Sequence, residues 1–156
     1  MTQHNLTPQD FDRLHEAAQK IFEALAKKAR LRFPALEASF GRTVTQKFPL
    51  YTYVTFEDKA RPEIDPVVVG IDVRVDTGII LLQADIAGEE TGKGYFDLPK
   101  KELPFGSDQG AALKEVVSAA QQLADNTVPV LLRVFGSPAP VVANQAASLP
   151  EVAPKA

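Results

Sequence analysis

From Val67 to Ala87 the chain alternates. Val67, Val69, Ile71, Val73 and Val75 fall on one side of an extended strand, and Val68, Gly70, Asp72, Arg74 and Asp76 on the other. After Thr77-Gly78 the alternation resumes, with Ile80, Leu82, Ala84 and Ile86 against Ile79, Leu81, Gln83 and Asp85. A period of two with one apolar side predicts a β-hairpin packed on a core by one face. A two-residue turn at Thr77-Gly78 sets Val75 opposite Ile80, Val73 opposite Leu82, Ile71 opposite Ala84 and Val69 opposite Ile86. A three-residue turn, Asp76-Thr77-Gly78, is also good turn chemistry. It would align the apolar row with Ile79, Leu81, Gln83 and Asp85 and bury polar groups, so the two-residue turn is expected.

Helical spacing governs the N-terminal part. Thr7-Pro8-Gln9-Asp10 has the marks of a helix start: a capping hydroxyl, proline at the first position and an acid in the first turn. Phe11, Leu14, Ala18, Ile21, Phe22, Leu25 and Ala29 then recur three or four apart, and Pro34 stops the helix near Leu31. Residues 38–57 are rich in β-formers. Val44, Phe48, Leu50, Val54 and Phe56 share one parity with Thr52, while Tyr51 and Tyr53 take the other. Pro49 cannot donate to a ladder and marks an edge or a break.

A glycine-rich turn at 88–94 leads into a short strand, Tyr95–Leu98, and a connector containing Pro99, Lys100, Lys101 and Pro104. Ser107 caps a second helix with Leu113, Val116, Val117, Ala120 and Leu123 on its buried side and a stop near Asn126. Val128–Phe135 reads as a strongly apolar last strand. The expected fold is α+β: a two-layer sandwich whose antiparallel sheet of about four to five strands carries two helices on one face. Residues 1–136 form a single domain, and residues 137–156 a flexible Pro/Ala-rich C-terminal tail.

Composition narrows the class. A chain of 156 residues, 45% hydrophobic and 24% charged, fits one soluble domain that needs no metal or disulfide staples. There is no cysteine, which removes thiolate chemistry and suits a reducing compartment. The N-terminus lacks the apolar run of a secretory signal, and no apolar stretch is long enough to span a bilayer. A cytoplasmic location is therefore expected, without membrane attachment. The net charge of −3 is uneven: residues 1–62 hold ten Lys/Arg against seven Asp/Glu, and residues 63–156 hold seven against thirteen. The acidic part contains the hairpin, which argues against nucleic acid as a partner.

The chemistry-bearing motifs are few. Ala87–Gly94 (AGEETGKG) approaches a phosphate-binding loop, but Gly94 stands where a hydroxyl residue is needed, a strand follows in place of a helix, and two glutamates repel an anion. It is read as a turn. His4 and His15 are too far apart for a local ligand pair, and His15 is read as a helix-surface residue. Ser107 lacks the spacing of a nucleophile elbow. Lys27, Lys28, Arg30 and Arg32 complement a helix C-terminus. Asp72 and Asp85 are diagonal neighbours in the expected register, about 7–8 Å apart, with Arg74 able to neutralise the first. No catalytic residue, metal site or cofactor is assigned.

The non-core face of the sheet is less bland. Tyr51, Tyr53, Asp72, Arg74, Ile79, Leu81, Gln83 and Asp85 gather there, and aromatic and arginine side chains favour interfaces. The expected function is a non-enzymatic protein-binding module of inhibitor, immunity, chaperone or adaptor type, its partner being another protein or a second copy of itself. That list of types is an analogy at the level of the fold alone. The alternative is a small-molecule-binding protein or enzyme with its site around Asp72, Arg74, Asp85 and the 88–94 turn.

Overall fold

The computed structural model describes residues 8–43, 50–76, 79–103 and 109–136. Its elements are α1 (Pro8–Arg32), β1 (Leu36–Thr43), β2 (Leu50–Asp58), β3 (Val67–Asp76), β4 (Ile79–Gly88), β5 (Gly94–Asp97), β6 (Lys101–Leu103) and α2 (Gln109–Phe135). The strands form one antiparallel sheet in the order β1-β2-β3-β4-β5, with β6 also pairing β4. Both helices pack against this sheet and each other, α1 on β1 and β2, α2 on β3 and β4. The fold is the α+β two-layer sandwich that the patterning predicts.

The rows of matching parity make the core. Leu50, Val54 and Phe56 of β2, Val67, Val69, Ile71 and Val73 of β3, and Ile80, Leu82, Ala84 and Ile86 of β4 are all buried in one cluster. From the helices come Phe11, Leu14, Phe22 and Leu25 of α1, and Val116, Leu123 and Leu131 of α2. Val75 pairs with Ile80 and Asp76 with Ile79, the register of a two-residue turn. The turn residues Thr77 and Gly78 lie outside the described residues, as do the proposed caps Thr7 and Ser107, His4 and the tail expected over 137–156.

Three expectations are corrected, two of them in secondary structure. Val128–Phe135 is not a strand; α2 runs on through it to Phe135. A short apolar run has no period of its own to separate strand from buried helix. Here Thr127, Val130, Leu131 and Phe135 extend the buried stripe set by Ala112, Val116, Ala119, Ala120 and Leu123, so packing decides. Asn126 does not stop the helix: its Nδ2 donates to the Gln122 carbonyl (2.8 Å), and Thr127 Oγ1 donates to the Leu123 carbonyl (2.7 Å). Pro129 sits inside α2 with its side chain exposed. The second correction is at Lys101–Leu103, part of the expected connector. β5 covers β4 only at Asp85–Ala87, and Lys101–Leu103 pairs with Ile80–Leu82 as a sixth strand.

Two polar groups fasten the layers. Thr52, 1% exposed, is the polar position in the buried row of β2, and its Oγ1 lies 2.9 Å from Nδ1 of His15 on α1. His15 is therefore half-buried against the sheet and is not the surface residue expected. Asp58, at the end of β2, accepts from Arg61 Nε at 2.8 Å and from the Ala60 amide at 3.0 Å. Arg61 Nη2 also donates to the carbonyl of Phe135 at 2.7 Å, which ties the last turn of α2 to the β2–β3 loop. The hydrogen bond from Arg61 holds the Asp58 carboxyl below its ordinary range.

Two predictions follow from this packing. Pro129 removes the amide that would bond the Asp125 carbonyl. Pro129→Ala is expected to raise the unfolding free energy by up to about 3 kcal/mol, read by urea denaturation. His15 has its pKa lowered, first by burial and second by the Arg42 charge. The folded state thus binds fewer protons than the unfolded chain, so this contribution is complete above the unfolded value near 6.5 and is lost as pH falls through the lowered folded value. The melting temperature should drop in that window, and His15→Gln should flatten the drop relative to the parent chain.

Candidate functional site

Because both helices occupy one side, the opposite parity of β2–β5 forms a second face. Tyr51 stands opposite Asp72, Tyr53 opposite Gly70 on one side and Gly41 on the other, and Asp85 opposite both Gly70 and Asp97. The two tyrosine rings stack with centroids 5.3 Å apart and planes 29° from parallel. They lie down on the sheet, over glycine. A methyl group on Gly70 would sit 2.5 Å from Tyr51 Oη and 2.7 Å from its Cε1, and one on Gly41 would strike the ring of Tyr53. Glycine at both positions lets an aromatic ring cover bare backbone.

The flattened rings leave two shallow cavities that share Tyr51 and Asp85. One, of about 330 Å³, is lined by Tyr51, Gly70, Asp72, Gln83, Asp85 and Asp97 among others. Its neighbour, of about 370 Å³, reaches over Tyr53 and Thr55 to Glu89. The first is acidic. Asp85 has its pKa raised by burial, then by the charges of Asp97 and Asp72. Burial also raises Asp72, with Arg74 opposing the shift. Tyr51 is pushed up to about 12, chiefly by burial and next by Asp85 and Asp72. Oδ1 of Asp72 is buried without a hydrogen-bond partner among the described residues. Each of these groups gains from a positive charge placed in the cavity, since a cation favours the ionised carboxylates and needs no proton from them.

The sequence-derived residues divide on this face. Tyr51, Tyr53, Asp72, Gln83 and Asp85 come together around the cavities. Arg74 lies beside them, with Nη2 donating to Gln83 Oε1 at 3.3 Å. Leu81 is only 8% exposed, between Arg74 on β3 and Glu102 on β6 in the ladder. It is thus no free apolar anchor, and Ile79 is half-buried. Asp97 joins the site unforeseen. Its signal is parity: Phe96 packs on the core and pairs with Ile86, which leaves its neighbour Asp97 for the other face beside Asp85.

The 88–94 turn has its own occupant. The amides of Glu90 and Thr91 donate to the Asp65 carboxylate at 2.9 and 3.1 Å, and Thr91 Oγ1 donates to it at 2.9 Å. Gly92 takes the left-handed conformation at φ 67°, where glycine carries no steric cost. The amides that would cradle a phosphate are therefore spent on a carboxylate of the same chain. Burial raises the pKa of Asp65, but these hydrogen bonds outweigh it and the net shift is downward. Among the described residues no group of three or more His, Cys, Asp or Glu is placed to hold a metal ion. The basic residues Lys27, Lys28, Arg30 and Arg32 lie on the last turns of α1.

The site's electrostatics can be read directly, because the chain has three tyrosines and no tryptophan. An ultraviolet absorbance titration should resolve one tyrosine, Tyr51, ionising near 12. Asp85→Asn should bring that ionisation down; an unmoved curve would mean that the carboxylate does not act on the ring. Comparison of the chain with protein families, with characterised proteins and with solved structures finds no match.

Proposed function

We propose that this protein is a non-enzymatic binding module, and that the open face of its sheet receives a partner protein through a lysine or arginine side chain. The observation that carries the reading is the ring of Tyr51, stacked on Tyr53, meeting the Asp72–Asp85–Asp97 group in one cavity. An aromatic face and a partly buried carboxylate both favour a cation. With Leu81 buried, recognition by an apolar anchor loses its main residue, and the polar cavity takes that role. Inhibitor, immunity, chaperone and adaptor proteins all fit such a module, and the cysteine-free chain suits the cytoplasm. No helix among the described residues is long and apolar enough to cross a membrane.

The cavity volumes favour a second reading, a small organic amine in the same place. Both fall near the lower end of the range for small-molecule sites. A peptide array containing basic, neutral and acidic sequences tests the main proposal. Binding should concentrate on lysine- and arginine-containing peptides and weaken with added salt. Asp85→Asn and Tyr51→Ala should each reduce it about tenfold or more, the loss of about 1.4 kcal/mol, with the circular dichroism spectrum unchanged. Equal binding of acidic peptides would overturn the proposal. A thermal shift with small amines, but none with basic peptides, would favour the second reading.

A further inference from the structure

The two edges of the sheet are built differently. On one edge lie β5, of four residues, and β6, of three, separated by Leu98, Pro99 and Lys100, with a register shift between Ile86 and Ala87. Short strands, proline, lysine and a bulge are the devices by which sheets refuse further strands. The other edge is β1, Leu36–Thr43. It is eight residues long, pairs with β2 in unbroken register from Leu36↔Asp58 to Thr43↔Tyr51, and contains neither proline nor lysine. Its two charges are answered within the chain: Arg42 bonds Asp12 at 2.6 Å, and Glu37 meets Lys59 at 3.4 Å. Phe40 sits mid-strand on the core-side parity and is still 38% exposed. Among the described residues no strand pairs with the outer side of β1.

We infer that β1 is a self-association edge, and that two copies of this chain join β1 to β1 in antiparallel fashion about a two-fold axis at Ser39. In an antiparallel pair, opposed residues share a face. Centring on Ser39 sets Ala38 of one copy opposite Phe40 of the other, twice, so the small residue receives the exposed ring. Glu37 then meets Gly41, and Leu36 meets Arg42. The charges agree with this arrangement. α1 packs on β1 and β2, so it is the helix nearest the joint. Its first half carries Asp10, Asp12 and Glu16 against Arg13; Lys20 stands at its midpoint, and its second half carries Lys27, Lys28, Arg30 and Arg32 against Glu23. The two-fold axis runs the two α1 helices in opposite directions, so the acidic half of each lies beside the basic half of the other. The result is one continuous sheet, with the tyrosine-lined faces of both copies on the same side. This inference stands on the edge and does not depend on what the open face binds.

The cysteine-free chain makes the test sharp. Sedimentation of the full chain over a concentration series should give twice the monomer mass at the upper end. Ser39→Lys should return it to monomer with the circular dichroism spectrum retained. Ser39→Cys should form a disulfide-linked dimer under mild oxidation, because the two sulfur-bearing residues face each other across the axis within the 4.4–6.8 Å Cα range that a disulfide spans, roughly. Glu37→Cys, displaced from the axis by two residues in each copy, should not. A monomer mass throughout the series overturns the inference, including the case in which β1 accepts only an extended segment of another protein. Equal cross-linking of Ser39→Cys and Glu37→Cys also overturns it, and that comparison remains decisive if Ser39→Lys fails to fold.

Discussion

Everything in this molecule depends on the burial of three apolar rows on one side of a sheet. Leu50, Val54 and Phe56, Val67 to Val73, and Ile80 to Ile86 face the same two helices. Each large side chain so buried contributes about 1.5–3 kcal/mol, more than the helix or strand preference of any single residue other than proline. That scale explains why α2 tolerates Pro129. A proline inside a helix costs about 3 kcal/mol, and burying Val130, Leu131 and Phe135 beyond it offsets the cost. It also explains why Thr52 can stand in a core row. Its hydroxyl is bonded to His15 and so is not itself stranded between the layers.

Much of this was legible from alternation. Period two placed Tyr51 and Tyr53 opposite to Leu50, Val54 and Phe56, and it fixed the β3–β4 register to the residue, because a slip by one would have buried Asp85. What failed to show was of another kind. The run Val128–Phe135 is too short to display a period, and tertiary packing carries the helix on past the expected stop at Asn126. The strand Lys101–Leu103 exists because β4 outruns β5, a matter of relative strand length that no local pattern records. Leu81 has the parity of an open-face residue, and parity says nothing about how tightly its neighbours close around it.

The open face shows how little side chain a site requires. Gly41 and Gly70 make room for two rings to lie flat, and the rings in turn set the depth of the cavities beside them. Asp72, Asp85 and Asp97 come from three different strands and meet only because the register brings them together. At the 88–94 turn the same economy works in reverse. The sequence resembles an anion cradle, and Asp65, from a distant loop, fills it.

Arg61 has a further consequence. Its side chain grips Asp58 at the end of β2 and the terminal carbonyl of α2 at once. A helix normally frays from its last turn inward, independently of the strands beneath it. Here lifting the last turn away also breaks the hydrogen bond from Arg61 to the Phe135 carbonyl, a cost of about 0.5–1.5 kcal/mol that an unanchored helix end does not carry. The end of α2 is thereby held by the same guanidinium that holds the end of β2.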